Sequence, residues 1–323
     1  MVDEQDNLFS TRVALRAHRP AEGCITVQPT PASALPAALA HDVLYALGKR
    51  LAPASGTADV PLDSVKAAWL AAAAWCIAGD IRHVVLLRAH LLTTRRVEQL
   101  LAWRDMTGIH LTLVWQAAPR RMPPALAPLM HRASSREQFE AVLSRPDPGP
   151  AYPAYPPGPG SAAAAGSARR RTRRARAGQE EEECSSAAAT AILPGAAPPA
   201  EITPEHAAAL ATLAHPLTAG GLSVSAFTDS ALGSLRRIRD LDLTPDISVL
   251  KTHTPSHRQC RLHSVPAWAR PLLAAARAHH RLAPSPGGYV FAPLFPAEAK
   301  HLRAHAQLLA ETGLPLAGGF LVC

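Results

Sequence analysis

A chain of 323 residues, 48% of them hydrophobic, is long and apolar enough to bury the cores of two ordinary domains, which excludes a wholly disordered protein. Its 33 basic residues outnumber the 25 acidic ones, and the net charge of +8 favours polyanionic partners. The longest apolar run, 67–79, falls short of the roughly 20 residues that span a bilayer. The acidic N-terminus lacks the pattern of a secretory signal. We therefore expect a cytoplasmic protein that has no membrane role.

The five cysteines are odd in number and lie far apart in the chain. They are Cys24, Cys76, Cys184, Cys260 and Cys323. No Cys-x-x-Cys pair is present, so the spacing fits neither a disulfide framework nor a zinc knuckle. This pattern predicts reduced thiols, as is usual in a cytoplasm.

Composition changes sharply in the middle of the chain. Residues 146–200 consist mainly of Pro, Gly, Ala and Ser, so this segment cannot bury enough apolar surface to offset its ordering entropy. We predict a disordered linker here, between an N-terminal module at 1–145 and a C-terminal module at 201–323. An arginine cluster within the linker could bind nucleic-acid phosphates, or the adjacent glutamate run 180–183 could neutralise it. The cluster consists of Arg169, Arg170, Arg171, Arg173, Arg174 and Arg176.

In the N-terminal module, apolar strands alternate with helices. The predicted strands are 23–27, 81–87 and 109–115, and the predicted helices are 33–49, 62–78 and 94–107. This alternation is typical of a parallel sheet with flanking helices, so the sequence predicts an α/β module.

The C-terminal module is predicted to be mainly helical, with one small β-hairpin. Thr203-Pro204-Glu205 has the cap, first-turn proline and acidic residue of a helix start. The strands of the hairpin are predicted at 246–252 and 260–265. Further helices are predicted at 224–238, from Pro266 or Pro271, and at 297–312. This module is therefore expected to belong to the α+β class.

The order of elements in the N-terminal module resembles a P-loop nucleotide-hydrolase core that lacks its motifs. Such a core holds phosphate with a glycine-rich loop and a lysine, but here the loop at 28–33 has two prolines and neither of those residue types. After the second strand, Leu87 and Arg88 occupy the places of the acidic residues that would hold Mg²⁺. We therefore expect no nucleotide binding and no cofactor.

Four stretches of the C-terminal module form a pattern through their order and spacing. They are 235–243, the hairpin strand with Lys251, Gly288-Tyr289-Val290-Phe291, and Lys300-His301-Leu302-Arg303. In these stretches the module resembles the catalytic domain of tyrosine recombinases, the phage-type integrases. The resemblance implies that Lys251 matches the hairpin lysine of the family and that Arg303 matches the arginine of its His-x-x-Arg motif.

Two of the groups that cut DNA in this family have no counterpart at the matching positions. A recombinase clamps the scissile phosphate with two arginines and attacks it with a tyrosine. Here Asp229 stands near the position of the first arginine, and no tyrosine follows Arg303. The sequence therefore predicts a protein that is not an enzyme.

Several histidines are spaced closely enough to suggest metal ligands. His301 and His305 lie four residues apart, but Leu302 replaces the glutamate of a zinc hydrolase, so two solvated histidines are the simpler interpretation. We interpret His253, His257 and His263 as part of a polar, exposed turn. No metal site is predicted.

The favoured hypothesis is a non-catalytic, DNA-associated protein with a degenerate recombinase-like domain. Its predicted phosphate contacts are Lys251, Arg258, Arg261 and Arg303, together with the arginine cluster of the linker. Each of these could equally be a solvated surface charge. The alternative is a protein-interaction or scaffold protein that has an unknown protein partner and no nucleic-acid role, and composition does not separate the two.

Overall fold

The computed structural model describes two compact units of the chain. The described residues are 1–3, 8–31, 33, 35–51, 62–118, 122–124, 126, 135–143, 202–228, 230, 232–253 and 260–294. The first unit contains the described residues up to 143 together with Thr212–Pro216, and the second contains 202–211 and those from Leu217 onward. The predicted linker and its arginine cluster lie outside the described residues.

The first unit is built on a parallel sheet in the order β1-β2-β3. Its strands are β1 (Cys24–Val27), β2 (His83–Leu86) and β3 (His110–Leu113). Its helices are α1 (Leu8–Arg16), α2 (Ala38–Ala46), α3 (Val65–Ala78), α4 (Thr94–Thr107) and α5 (Arg136–Leu143). The predicted α/β class of this module is confirmed.

Local signals in the sequence explain where two of these helices begin or end. The α4 helix matches its predicted range because the Thr93 side chain accepts a hydrogen bond from the amide of Arg96, and Gly108 ends the helix at a φ of 71°. By contrast, α2 begins five residues later than predicted. Its preceding loop is held outside the helix by Thr30, whose amide and hydroxyl both donate to the Asp42 carboxylate.

Helices α1 and α5 were not predicted from the sequence. They pack beside one another against the sheet in a core that shares Val13, Val85, Val114 and Phe139. Both helices are short, with nine and eight residues, so the sequence offers only about two turns over which a helical period can be recognised.

The second unit is mainly helical and contains one two-stranded antiparallel sheet. Its helices are α6 (Pro204–Ala211), α7 (Pro216–Thr228), α8 (Leu232–Leu235) and α9 (Arg270–Leu282). Its strands are β4 (Val249–His253) and β5 (Cys260–Ser264). The α+β expectation is confirmed, although the predicted helix 224–238 is divided between α7 and α8. In the part of the chain that the structure describes, no helix is both long and apolar enough to cross a bilayer.

Helices α7 and α9 approach closely at a glycine. A Cβ atom at Gly220 would lie 2.7 Å from the Cβ of Ala276 and 3.3 Å from the carbonyl oxygen of Leu272. A Cβ atom at the next residue, Gly221, would meet the end of the Leu235 side chain at 3.3 Å. The backbone of α9 cannot yield as a side-chain end can, so only Gly220 is required by this packing.

We predict that Gly220→Ala destabilises the second unit by about 2 kcal/mol, because the overlap with α9 outweighs the gain in helix propensity. Gly221→Ala is the matched control on the same helix and should change stability by less than about 1 kcal/mol. Urea unfolding of the full chain, with hydrogen exchange of peptides from α7 and α9, measures both effects. Equal stability of the two variants would contradict the packing argument.

Candidate functional site

The β-hairpin carries the two described residues that were predicted to contact phosphate. Lys251 pairs with Leu262, and Thr252 pairs with Arg261. Directly paired residues of an antiparallel sheet project to the same face, and neighbouring residues along a strand project to opposite faces. Lys251 and Arg261 therefore lie on opposite faces of the hairpin.

The positive charge on this hairpin is not neutralised by the rest of the described unit. Arg261 is exposed, Lys251 is partly exposed, and neither forms an ion pair among the described residues. Burial, reinforced by the charge of Arg261, lowers the pKa of His263, so this histidine is neutral at pH 7. The acidic side chains that precede β4 already accept hydrogen bonds within the unit. They are Asp240, Asp242 and Asp246.

The other predicted phosphate contacts lie outside the described residues. They are Arg258, Arg303 and the linker arginines Arg169, Arg170, Arg171, Arg173, Arg174 and Arg176. Asp229, His257, His301 and His305 lie outside them as well. The structure therefore positions two of the predicted contacts, Lys251 and Arg261.

A short 3-10 turn at Asp240–Asp242 lies beside β4 and is anchored by α9. Arg277 of α9 donates to the Asp240 carboxylate at 2.6 Å and to the carbonyl of Thr244 at 2.9 Å. Arg281 donates to the same carboxylate at 3.1 Å. Burial alone would raise the pKa of Asp240, but the hydrogen bonds and charges of the two arginines outweigh it and lower the pKa.

We predict that Arg277→Ala lowers the free energy of unfolding of this unit by about 2 kcal/mol at pH 7, because it leaves a half-buried carboxylate without its main partner. The Arg277 side chain is 11% exposed, whereas that of Arg281 is 42% exposed. Arg281→Ala is therefore the matched control and should cost less than about 1 kcal/mol.

The pH dependence separates the ion pair from simple packing. Because the folded pKa of Asp240 is lowered, its contribution to stability is complete above its unfolded pKa of about 4 and is lost as the pH falls further. The difference between wild type and Arg277→Ala in urea unfolding should therefore shrink between pH 7 and pH 3. A cost that is independent of pH would assign the effect to packing.

Two stretches that carry the recombinase resemblance are adjacent in the second unit. Arg239 forms an antiparallel bridge with Tyr289, and the amide of Val290 donates to the carbonyl of Ile238 at 2.9 Å. The Arg239 guanidinium donates to the Tyr289 hydroxyl at 3.0 Å and lies over its ring. Tyr289 thus holds the segment that leads into the hairpin.

A constellation that sequence reasoning missed lies at the end of the hairpin. His253 pairs with Cys260, and its Nδ1 atom lies 3.5 Å from the Cys260 Sγ atom. Its Nε2 atom lies 2.9 Å from Oδ1 of Asp242. The His253 side chain is 11% exposed and that of Asp242 is 1% exposed. The interpretation of this histidine as part of an exposed polar turn is therefore wrong, because the 3-10 turn before β4 covers it.

The three side chains form a chain of contacts and do not converge on one point. His253 lies between Asp242 and Cys260, and each of its ring nitrogens faces one of them. Among the described residues, no group of three or more His, Cys, Asp or Glu side chains could hold a metal ion. The arrangement suits proton transfer between a thiol and a buried carboxylate–histidine pair.

The expectation of reduced thiols holds for two cysteines and fails for a third. Cys24 and Cys76 are free thiols, and burial raises the pKa of both. Cys260 is disulfide-bonded. Wide spacing in the sequence did not exclude this bond, because folding brings distant residues together.

In the first unit, the backbone around the P-loop-like segment is engaged by other groups. The amide of Thr30 donates to Asp42, and the amide of Arg88 donates to the side chain of Gln116 at 3.1 Å. Because these amides already donate hydrogen bonds within the unit, they are not available to bind phosphate. The absence of phosphate binding stays a prediction.

Comparison with known proteins gives no match for this chain, whether to a protein-family model, to a curated protein or to a solved structure. The resemblance to tyrosine recombinases therefore depends on the motif residues themselves and stays a hypothesis. The geometry of the hairpin has to support any functional proposal.

Proposed function

We propose that the protein associates with DNA through the β4–β5 hairpin and does not cleave it. The observation that carries the proposal is the placement of Lys251 and Arg261 on opposite faces of a two-stranded ribbon, with neither in an ion pair among the described residues. The major groove of DNA admits a two-stranded ribbon. Arg261 is exposed and Lys251 is partly exposed, so both cations would contact phosphates of the DNA backbone.

Such contacts position a protein on DNA without reading its sequence. Lys and Arg bound to phosphates release counterions, so affinity falls as salt rises. The arginine cluster in the sequence at 169–176 would add contacts of the same kind. We further propose that the protein acts in the cytoplasm.

The alternative function is that of a scaffold that binds a protein partner. The exposed side chain of Leu262, beside Lys251, is an apolar contact that such a partner would use. Leu262 is 47% exposed. A single exposed leucine is common on soluble proteins, so the unneutralised charge of the hairpin favours the DNA proposal.

We predict that the double variant Lys251→Ala/Arg261→Ala binds unrelated duplexes about tenfold more weakly at low salt, because two phosphate contacts are lost. The slope of log affinity against log salt should become shallower by about two units at most. Fluorescence anisotropy with two duplexes of different sequence, measured over a salt series, tests both statements.

The matched control removes the same net charge from the first unit. Arg19 and Arg136 are exposed and pair with Glu22 and Glu140. Arg19→Ala/Arg136→Ala should leave the affinity and the slope close to wild type. Equal losses in both double variants would show that net charge drives binding, and unchanged binding in the hairpin variant would favour the scaffold alternative.

We also predict that the full chain forms no covalent adduct with DNA. The Tyr289 hydroxyl accepts a hydrogen bond from Arg239, so this side chain is engaged within the unit. Incubation with a nicked duplex followed by denaturing electrophoresis should show no shifted protein band. An adduct that disappears in Tyr289→Phe would contradict the prediction and identify a nucleophile.

A further inference from the structure

The contacts around His253 define the direction in which a proton can move. The Asp242 carboxylate can only accept a hydrogen bond, so the Nε2 atom of His253 carries the proton that joins them. In the neutral ring, Nδ1 then has a lone pair, and this atom faces the Cys260 sulfur at 3.5 Å. His253 is thus arranged to accept a proton from a Cys260 thiol.

Hydrogen bonds within the fold hold the Asp242 carboxylate in place. The amide of Arg239 donates to Oδ2 of Asp242 at 2.8 Å, while Oδ1 accepts from His253. Both carboxylate oxygens are therefore used, and the carboxylate is almost completely buried. A carboxylate held in this way orients the imidazole and stabilises the imidazolium that forms when Nδ1 is protonated.

We propose that Cys260 is a redox-active cysteine that exchanges with low-molecular-weight thiols and disulfides, with His253 as its proton acceptor and Asp242 as the positioning residue. Two independent observations support this: the Asp242–His253–Cys260 contacts, and the disulfide bond that Cys260 forms. The disulfide favours thiol–disulfide exchange over acyl transfer as the chemistry of this cysteine. The inference goes beyond the DNA proposal and does not depend on it.

Thiol–disulfide exchange at Cys260 can run in both directions. In the reduced form, Cys260 passes its proton to His253, and the thiolate attacks one sulfur of a small disulfide R–S–S–R. A new bond joins Cys260 to RS, the original S–S bond breaks, and RS⁻ leaves and takes up a proton. In the oxidised form, a small thiol passes its proton to His253 by way of water, and its thiolate attacks the other sulfur of the disulfide of Cys260. The S–S bond breaks, and Cys260 leaves as a thiolate that takes this proton from the His253 imidazolium.

The same chain contains cysteines in which this activation is absent. Burial raises the pKa values of the free thiols Cys24 and Cys76. A thiol reacts through its thiolate, so at pH 7 both should react slowly. They serve as internal controls in any experiment on Cys260.

The test uses the full chain, reduced with an immobilised phosphine and then separated from it. A timed pulse of iodoacetamide at pH 7, followed by peptide mass spectrometry, gives the alkylation rate of each cysteine. Cys260 should react about tenfold faster in the wild type than in His253→Gln, because the thiolate loses its proton acceptor and counter-charge. The rate at Cys24 should be the same in both proteins.

Variants at Asp242 separate positioning from a general effect on folding. Asp242→Asn retains an oxygen that accepts from His253, so it should react at a rate between those of the wild type and Asp242→Ala. Hydrogen exchange of the 249–264 peptides shows in each case whether the hairpin is folded. Equal Cys260 rates in the wild type, His253→Gln and Asp242→Ala, with the hairpin protected, would overturn the proposal.

A second measurement follows the disulfide chemistry directly. With oxidised glutathione as the small disulfide, the reduced wild type should form a mixed disulfide at Cys260 about tenfold faster than His253→Gln does. Formation at Cys24 should be slower and equal in the two proteins. A mixed disulfide that forms at Cys24 as fast as at Cys260 would also overturn the proposal.

Discussion

The half-buried ion pair between Asp240 and Arg277 is the contact on which the rest of the candidate site depends. It anchors the 3-10 turn that precedes β4, and Arg277 also holds the carbonyl at Thr244, where the chain turns toward the strand. From this turn, Leu243 bridges to Leu250 near the start of β4, and Asp242 contacts His253 at its end. The anchored 3-10 turn therefore fixes both the position of the hairpin and the orientation of His253.

The register of the hairpin determines which functional side chains share a face. His253 lies two residues beyond Lys251 and so projects to the same face, with Cys260 paired opposite. Arg261, next to Cys260 along β5, projects to the other face. One face therefore combines Lys251 with the Cys260 sulfur, and the other carries Arg261. A one-residue shift in pairing would exchange these sets, so the register is as important to function as the residues themselves.

Sequence patterns were most informative where a signal is local. Thr93 and Gly108 mark both ends of α4, and the apolar strands predict the parallel sheet. The break between α7 and α8 has no strong local marker, so the sequence suggested one helix. The His253–Cys260 pairing depends on the register of the two strands, and the burial of His253 depends on Asp242, eleven residues earlier. Those are long-range contacts that the periodicity of a strand does not contain.

The two proposed activities place different demands on the chain, which explains how they can share one hairpin. Strand cleavage would need several groups converging on one phosphate. Phosphate contact needs only accessible cations on a rigid element. Thiol exchange needs one sulfur, one imidazole and a buried carboxylate that fixes the ring, and the anchored turn before β4 supplies that carboxylate.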